Sequence, residues 1–249
     1  MRELNLVDGE LHSEDLDHHT NFDPHKKGSA LSDVILGGQD GLVNVLGVIL
    51  GVAAATGDAY VVMVAGMAAT FAESVSMGAV AYTSTVADAD FYESERKREY
   101  RHIQEVPNLE KNEIRNIYAQ KGFMGDLLEN IVDTITTNQD VWVAVMMAEE
   151  HQLQPVNRKH ALRSAIIVGV AAIVGSLIPL LPFLFSPVTT AMILAIALSA
   201  VVLFIVGAIK ARMTIGNPGK SGLEMAVIGT VSALVGYAVG TLLKIPATP

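Results

Sequence analysis

The sequence predicts an all-α integral membrane protein with five transmembrane helices and a cytosolic helical insertion between spans two and three. Three observations carry that expectation. Five apolar runs approach or exceed the roughly 20 residues needed to cross hydrocarbon. Mean hydropathy is +0.39, with only 17% of residues charged. Between the second and third runs, residues 88–160 form a polar stretch too long for a simple loop. Helices of a large soluble protein would need more charge on their outer faces than this composition supplies.

Residues 1–30 are acidic and carry His12, His18, His19 and His25 beside Glu14, Asp15 and Asp17. They read as a solvated, partly disordered segment or as a metal-collecting tail. They contain no apolar core of signal-peptide type, so the first span is expected to act as the targeting signal. Residues 31–87 hold spans one and two, in the runs Val34 to Gly57 and Ala59 to Ala87. Residues 161–249 hold the other three, in Ser164 to Phe185, Ser186 to Ile209 and Met225 to Leu243, none of which carries a charge. Lys and Arg gather before span one, between spans two and three, and between spans four and five at Lys210, Arg212 and Lys220. The turns at Gly57-Asp58 and Ser186-Pro187 have none, so the positive-inside rule puts the N-terminus in the cytosol and the C-terminus on the opposite side. The absence of Cys excludes disulfides and thiolate metal sites. A net charge of −9 argues against a nucleic-acid partner.

Asp40 and Glu73 are the single acids of spans one and two. A carboxylate at the bilayer centre costs roughly 2.5–3.5 kcal/mol on insertion scales, so such residues mark where ions move. Gly37 with Gly41, and Gly47 with Gly51, form two Gly-x-x-x-Gly pairs that allow close helix approach. By the spacing of four, Asn44 shares a face with Asp40, and Met77 with Glu73. Thr70, Ser74 and Ser84 add hydroxyls nearby. Carboxylate, amide, hydroxyl and thioether together suit Fe²⁺ or Mn²⁺ better than Ca²⁺ or Na⁺ alone. Taken singly, Met77 reads first as core packing.

The insertion reads as helices. The second span is expected to continue to Pro107, with Asp88, Glu95, Glu99 and His102 along one side. Asn108 is the expected cap of a second helix that bears Glu110 and Glu113 and ends at Gly122. A third begins at Asp126 and packs through Leu128, Ile131, Val132 and Ile135. Asn138 opens a fourth, with Trp142, Met146, Met147, Glu149 and Glu150, closed by Pro155. Glutamates three or four apart on packed helices, with an occasional His, are how bundles build iron and manganese sites. Charge pattern alone reads equally as a solvated face.

The stretch Ser32 to Val43 (SDVILGGQDGLV), Ser76-Met77-Gly78, Glu105-Val106-Pro107 and Met146-Met147-Ala148-Glu149-Glu150 resemble the vacuolar iron transporter family, in the same order and with the same insertion. The resemblance covers nearly the whole chain after about residue 30. It implies a five-span homodimer with its path at the two-fold interface. The implied activity moves Fe²⁺, and often Mn²⁺ or related divalent ions, out of the cytosol in exchange for protons, into a vacuole or across a prokaryotic plasma membrane. On that likeness, Asp40 and Met77 match pathway residues. Glu99, Glu110, Glu113 and Glu150 match metal-binding glutamates of a cytosolic domain, and Met146 and Met147 the methionines beside them. His102 and Gln154 stand where the family has glutamates, and Ala69 where its second-span glutamate falls, one turn before Glu73. The resulting expectation is a transporter rather than an enzyme, with metal sites at Glu99, His102, Glu110, Glu113, Met146, Met147 and Glu150, and a path through Asp40, Asn44, Glu73 and Met77. Its alternatives are a membrane-anchored carboxylate di-iron ferroxidase, for which only Glu99-Tyr100-Arg101-His102 supplies a Glu-x-x-His motif, and a metal buffer, which leaves Asp40 and Glu73 without a role.

Overall fold

The computed structural model describes residues 29–214 and 216–244, and every regular element among them is helical. The acids and histidines of the N-terminal segment lie outside those residues. In order come α1 Ser29–Thr56, α2 Ala59–Glu105, α3 Pro107–Gln120, α4 Gly125–Thr137, α5 Gln139–Glu149, α6 Lys159–Leu180, α7 Val188–Met213 and α8 Pro218–Leu242. A turn of 3-10 helix, Leu181–Leu184, follows α6. Five of these helices, α1, α2, α6, α7 and α8, are long and apolar enough to cross a membrane.

Local chemistry sets the boundaries. Gly57 ends α1 in the left-handed region (φ +65°), and Asp58 Oδ1 then accepts from the N–H groups of Tyr60 (2.8 Å) and Val61 (3.2 Å) to cap α2. The 47 residues of α2 run about 70 Å at 1.5 Å per residue, well beyond the roughly 30 Å of hydrocarbon, as expected from Asp88 onward. The helix stops before Pro107, and α3 opens on that proline rather than on an Asn108 cap. With φ preset and no N–H to satisfy, Pro fits the first helical position, which leaves Asn108 inside the first turn. Similarly, α4 opens at Gly125, with Asp126 in its first turn rather than at its start. Asn138 does cap α5, accepting from Asp140 N–H at 2.9 Å and Val141 N–H at 3.3 Å.

The end of α5 differs from expectation. It stops at Glu149 rather than near Pro155, because the chain turns sharply there: Gln152 takes φ +54°, and the N–H groups of Glu150 and His151 both donate to Met146 O. The third and fifth spans begin before their uncharged runs. Asn157 Oδ1 accepts from Lys159 N–H at the start of α6, and Asn217 Oδ1 from Gly219 and Lys220 N–H at the start of α8.

The spanning helices gather around α1. Its Val45, Leu46, Ile49 and Leu50 pack with Val62 of α2, Leu180 of α6, Phe183 of the 3-10 turn, Ala191 and Ala195 of α7, and Ala233 of α8. Both expected glycine pairs make backbone contacts, each with a different partner. A Cβ on Gly41 would lie 2.5 Å from Ala172 O of α6, and one on Gly51 would lie 2.9 Å from Gly236 O of α8. Lipid tails are as apolar as the helix faces, so such close packing, rather than hydrophobic burial, holds membrane helices together. A second apolar cluster joins the far end of α2 to α3, α4 and α5 through Ile103, Ile114, Val132, Ile135, Trp142, Val143, Met146 and Met147.

This packing separates two neighbouring glycines. At Gly41 a methyl group would meet Ala172 O and Ser176 Oγ at 2.5 and 2.7 Å, whereas at Gly38 its nearest neighbour, Ala171 O, is an ordinary 3.6 Å away. Gly41→Ala should destabilise the detergent-solubilised protein by about 1–3 kcal/mol through overpacking. Gly38→Ala should be neutral or stabilising by up to about 1 kcal/mol through backbone entropy. Thermal unfolding of the two variants side by side measures the difference, and equal melting temperatures would contradict it.

Candidate metal centre and transport path

At its far end α2 presents Glu99 and His102, three residues apart and therefore on one face. The proline-started α3 lays Glu110 and Glu113 against that face, and the sharp turn after α5 delivers Glu150 and His151. Two groups of three donors result, Glu99-His102-Glu110 and Glu99-Glu150-His151, each with one ligand atom per residue and all three within 4.8 Å of one another. Glu99 belongs to both. His151 Nε2 is 2.9 Å from Glu99 Oε1, while His102 Nδ1 lies 3.5 Å from Glu110 Oε1 and 3.9 Å from Glu99 Oε1.

Glu99 and Glu110 are only 2% and 3% exposed, and each has a buried Oε2 with no hydrogen-bond partner. Unsatisfied buried carboxylate oxygens are costly, and such a set of donors could hold a metal ion. Burial, followed by repulsion from Glu113 and Glu99, pushes the Glu110 carboxyl up to about 7. Burial and Glu113 also raise Glu150. For His151, burial works against the charged ring, but the hydrogen bond to Glu99 and the negative charge of Glu150 outweigh it and raise its proton affinity. This is the electrostatic state of a site whose anions crowd one another until a proton or a metal ion intervenes.

Of the expected metal residues, Glu99, His102, Glu110, Glu113 and Glu150 come together. Met146 and Met147 are fully buried in the apolar cluster beneath them. Asp88 and Gln154 are exposed, and Glu95 is engaged by Arg98 at 2.8 Å. His151 is absent from the sequence-based set. Its signal was adjacency to Glu150, hidden by the expectation that α5 continued toward Pro155, which would have turned the two side chains about 100° apart on one helix.

Within the spanning bundle, Asn44 Nδ2 of α1 donates to Glu73 Oε1 of α2 at 3.0 Å, and the Asp40 carboxyl lies near Glu73. Spacing alone pairs Asn44 only with Asp40. The structure adds the bond between helices. Met77 is half-buried one turn further along α2. Ala69 packs against the apolar cluster around α1, so at that position the surroundings suit a methyl group. Asn44 is exposed and Glu73 half-buried on a single chain.

The profile of the VIT family matches residues 31–241. Vacuolar iron transporter 1 of Oryza sativa subsp. japonica is 33% identical over 222 residues, covering 88% of each chain. Vacuolar iron transporter 1 of Tulipa gesneriana is 35% identical over 207 residues, covering 83% of this chain and 84% of its own. The vacuolar iron transporter of Plasmodium falciparum is 29% identical over 249 residues, covering 94% and 91%.

The raised carboxyl of Glu110 has a consequence for pH. Unfolded, it loses its proton near the ordinary 4.5; folded, it keeps it to about 7. Between those values the folded state holds the extra proton, so the metal-free protein loses stability as pH rises through the window. Metal must displace that proton, so affinity should rise from pH 6 to pH 8. Calorimetry of Co²⁺ binding in buffers of different ionisation enthalpy should detect proton release at pH 6.5, and Glu110→Gln should diminish it; release unaffected by that change would contradict the assignment.

Proposed function

The chain belongs to the VIT family, and from that premise we propose that it is a proton-coupled transporter carrying Fe²⁺, and Mn²⁺ or related divalent metals, out of the cytosol. The observation that carries this reading is the continuity of α2. One helix bears Glu73 in the membrane-spanning region and Glu99 in the carboxylate-imidazole cluster, about 39 Å apart at 1.5 Å per residue. A rigid element thus joins a group able to collect ions to a polar position at bilayer depth.

In this mechanism Glu99, His102, Glu110, Glu113, Glu150 and His151 act on the cytosolic side as an acceptor that raises the local ion concentration. The ion then passes to Asp40, Asn44, Glu73 and Met77, where carboxylate, amide and thioether replace its water. Protons return through the same carboxylates once the ion has left. A polar group facing lipid is costly, and Asn44 and Glu73 reach the surface of a single protomer. A homodimer with its two-fold axis along this face encloses them and doubles the donors available to a desolvated ion. A ferroxidase or a metal buffer would use the cluster but leave the Asn44–Glu73–Asp40 group without a task.

Flux into liposomes with and without a pH gradient tests the reading. Wild-type protein should load Fe²⁺, faster with the lumen acidic. Asp40→Asn should abolish uptake while folding and thermal stability hold or rise, because the membrane cost of the acid disappears. Glu73→Gln should reduce uptake strongly. Uptake indifferent to the gradient would exclude antiport, and native flux in Glu73→Ala would remove Glu73 from the path.

Orientation has its own test. Lys210 and Arg212 lie in the last turn of α7 and Lys220 in the first turn of α8, and the Gly57-Asp58 turn has no basic residue, so the N-terminus should be cytosolic and the C-terminus across the membrane. Reporters fused to the two ends should fall on opposite sides; both in the cytosol would contradict this.

A further inference from the structure

The two donor groups of the cluster share a composition that their glutamates obscure: each contains one imidazole. His102 turns Nδ1 toward Glu99 and Glu110, and His151 turns Nε2 toward Glu99. Once metal binding displaces any proton they carry, both inward nitrogens offer a lone pair beside the Oε1 atoms of Glu99 and Glu110, whose Oε2 atoms are buried without a hydrogen-bond partner. The imidazoles are the more exposed donors, at 43% and 27% against 3% and 4% for the two glutamate side chains. They are the solvent-facing donors of a cluster whose carboxylates Glu99 and Glu110 are buried.

We propose that His102 and His151 are metal ligands that set the selectivity of this cluster, favouring borderline ions such as Fe²⁺, Co²⁺ and Zn²⁺ over the harder Mn²⁺. The proposal rests on the reading of the cluster as a metal acceptor and specifies which ions it accepts. Carboxylate oxygen suits Mn²⁺, Mg²⁺ and Ca²⁺, whereas imidazole nitrogen is a stronger donor to later first-row ions. Each imidazole is also neutral where a glutamate would bring a full negative charge. A mostly electrostatic partner such as Mn²⁺ therefore loses more from the exchange than Co²⁺ does.

Every nitrogen or oxygen site prefers Co²⁺ to Mn²⁺ to some degree, so the informative quantity is the change in preference. With full-length protein in detergent at fixed pH, Kd is measured for Mn²⁺ and Co²⁺ in the wild type and in the double variant His102→Glu/His151→Glu. The ratio Kd(Mn²⁺)/Kd(Co²⁺) should fall about tenfold, the scale on which changes at a metal site act, with Mn²⁺ binding becoming tighter. An unchanged ratio would overturn the proposal while leaving the acceptor reading intact. Wild-type protein that binds neither ion would remove both. If the added charges prevent folding, His102→Gln and His151→Gln decide the matter: Co²⁺ should be weakened more than Mn²⁺, and equal weakening overturns the proposal.

Discussion

Backbone contact along α1 is the constraint on which the rest of the structure depends. In a bilayer, burying apolar surface against another helix gains little over burying it in lipid, so association relies on close packing. The glycines of α1 permit it in two directions: Gly37 and Gly41 bring α6 against one half of the helix, while Gly47 and Gly51 bring α8 against the other. Asn44 lies between these contacts along the chain and Asp40 beside Gly41 in the first, both held on a helix that cannot rotate without separating its partners. Ser74 of α2 donates to Gly169 O of α6 at 2.9 Å, which ties the second polar helix to the same frame. The Asn44–Glu73 bond follows from that frame.

Beyond the spans the organising force changes. There α2 buries Ile103 with residues of α3, α4 and α5 in a small apolar cluster, and hydrophobic burial in water does the work that glycine contact does in lipid. Above that cluster the same helices bring acids together against their mutual repulsion. A fold that forces Glu99, Glu110, Glu113 and Glu150 into proximity, with buried oxygens left unpartnered, stores an electrostatic demand that a cation relieves. Met146 and Met147 support the site from below by fixing the packing of α5 against α2.

The five spans, the two lone acids, the close-approach glycines and the long run of α2 were all legible in the sequence. Each is a property of one continuous segment: hydropathy over about 20 residues, or a spacing of three or four that sets a shared helical face. Family likeness pointed beyond single segments, to Glu110 and Glu113 of α3 and Glu150 just past α5. Where expectation and structure part, the cause is local competition. Pro107 took the first helical position that Asn108 was expected to cap, and the positive φ of Gln152 ended α5 before Pro155.

The sequence by itself determined which residues could share a face, because helical periodicity is set by the residues of one segment alone. Which faces meet was decided only by tertiary structure, because the rotation and crossing of two helices depend on side chains and glycines far apart in the chain. That is why Asn44 reaches Glu73 of the next helix, why Ala69 faces apolar neighbours, and why His151, beyond the end of α5, arrives beside Glu99, 52 residues away in the chain.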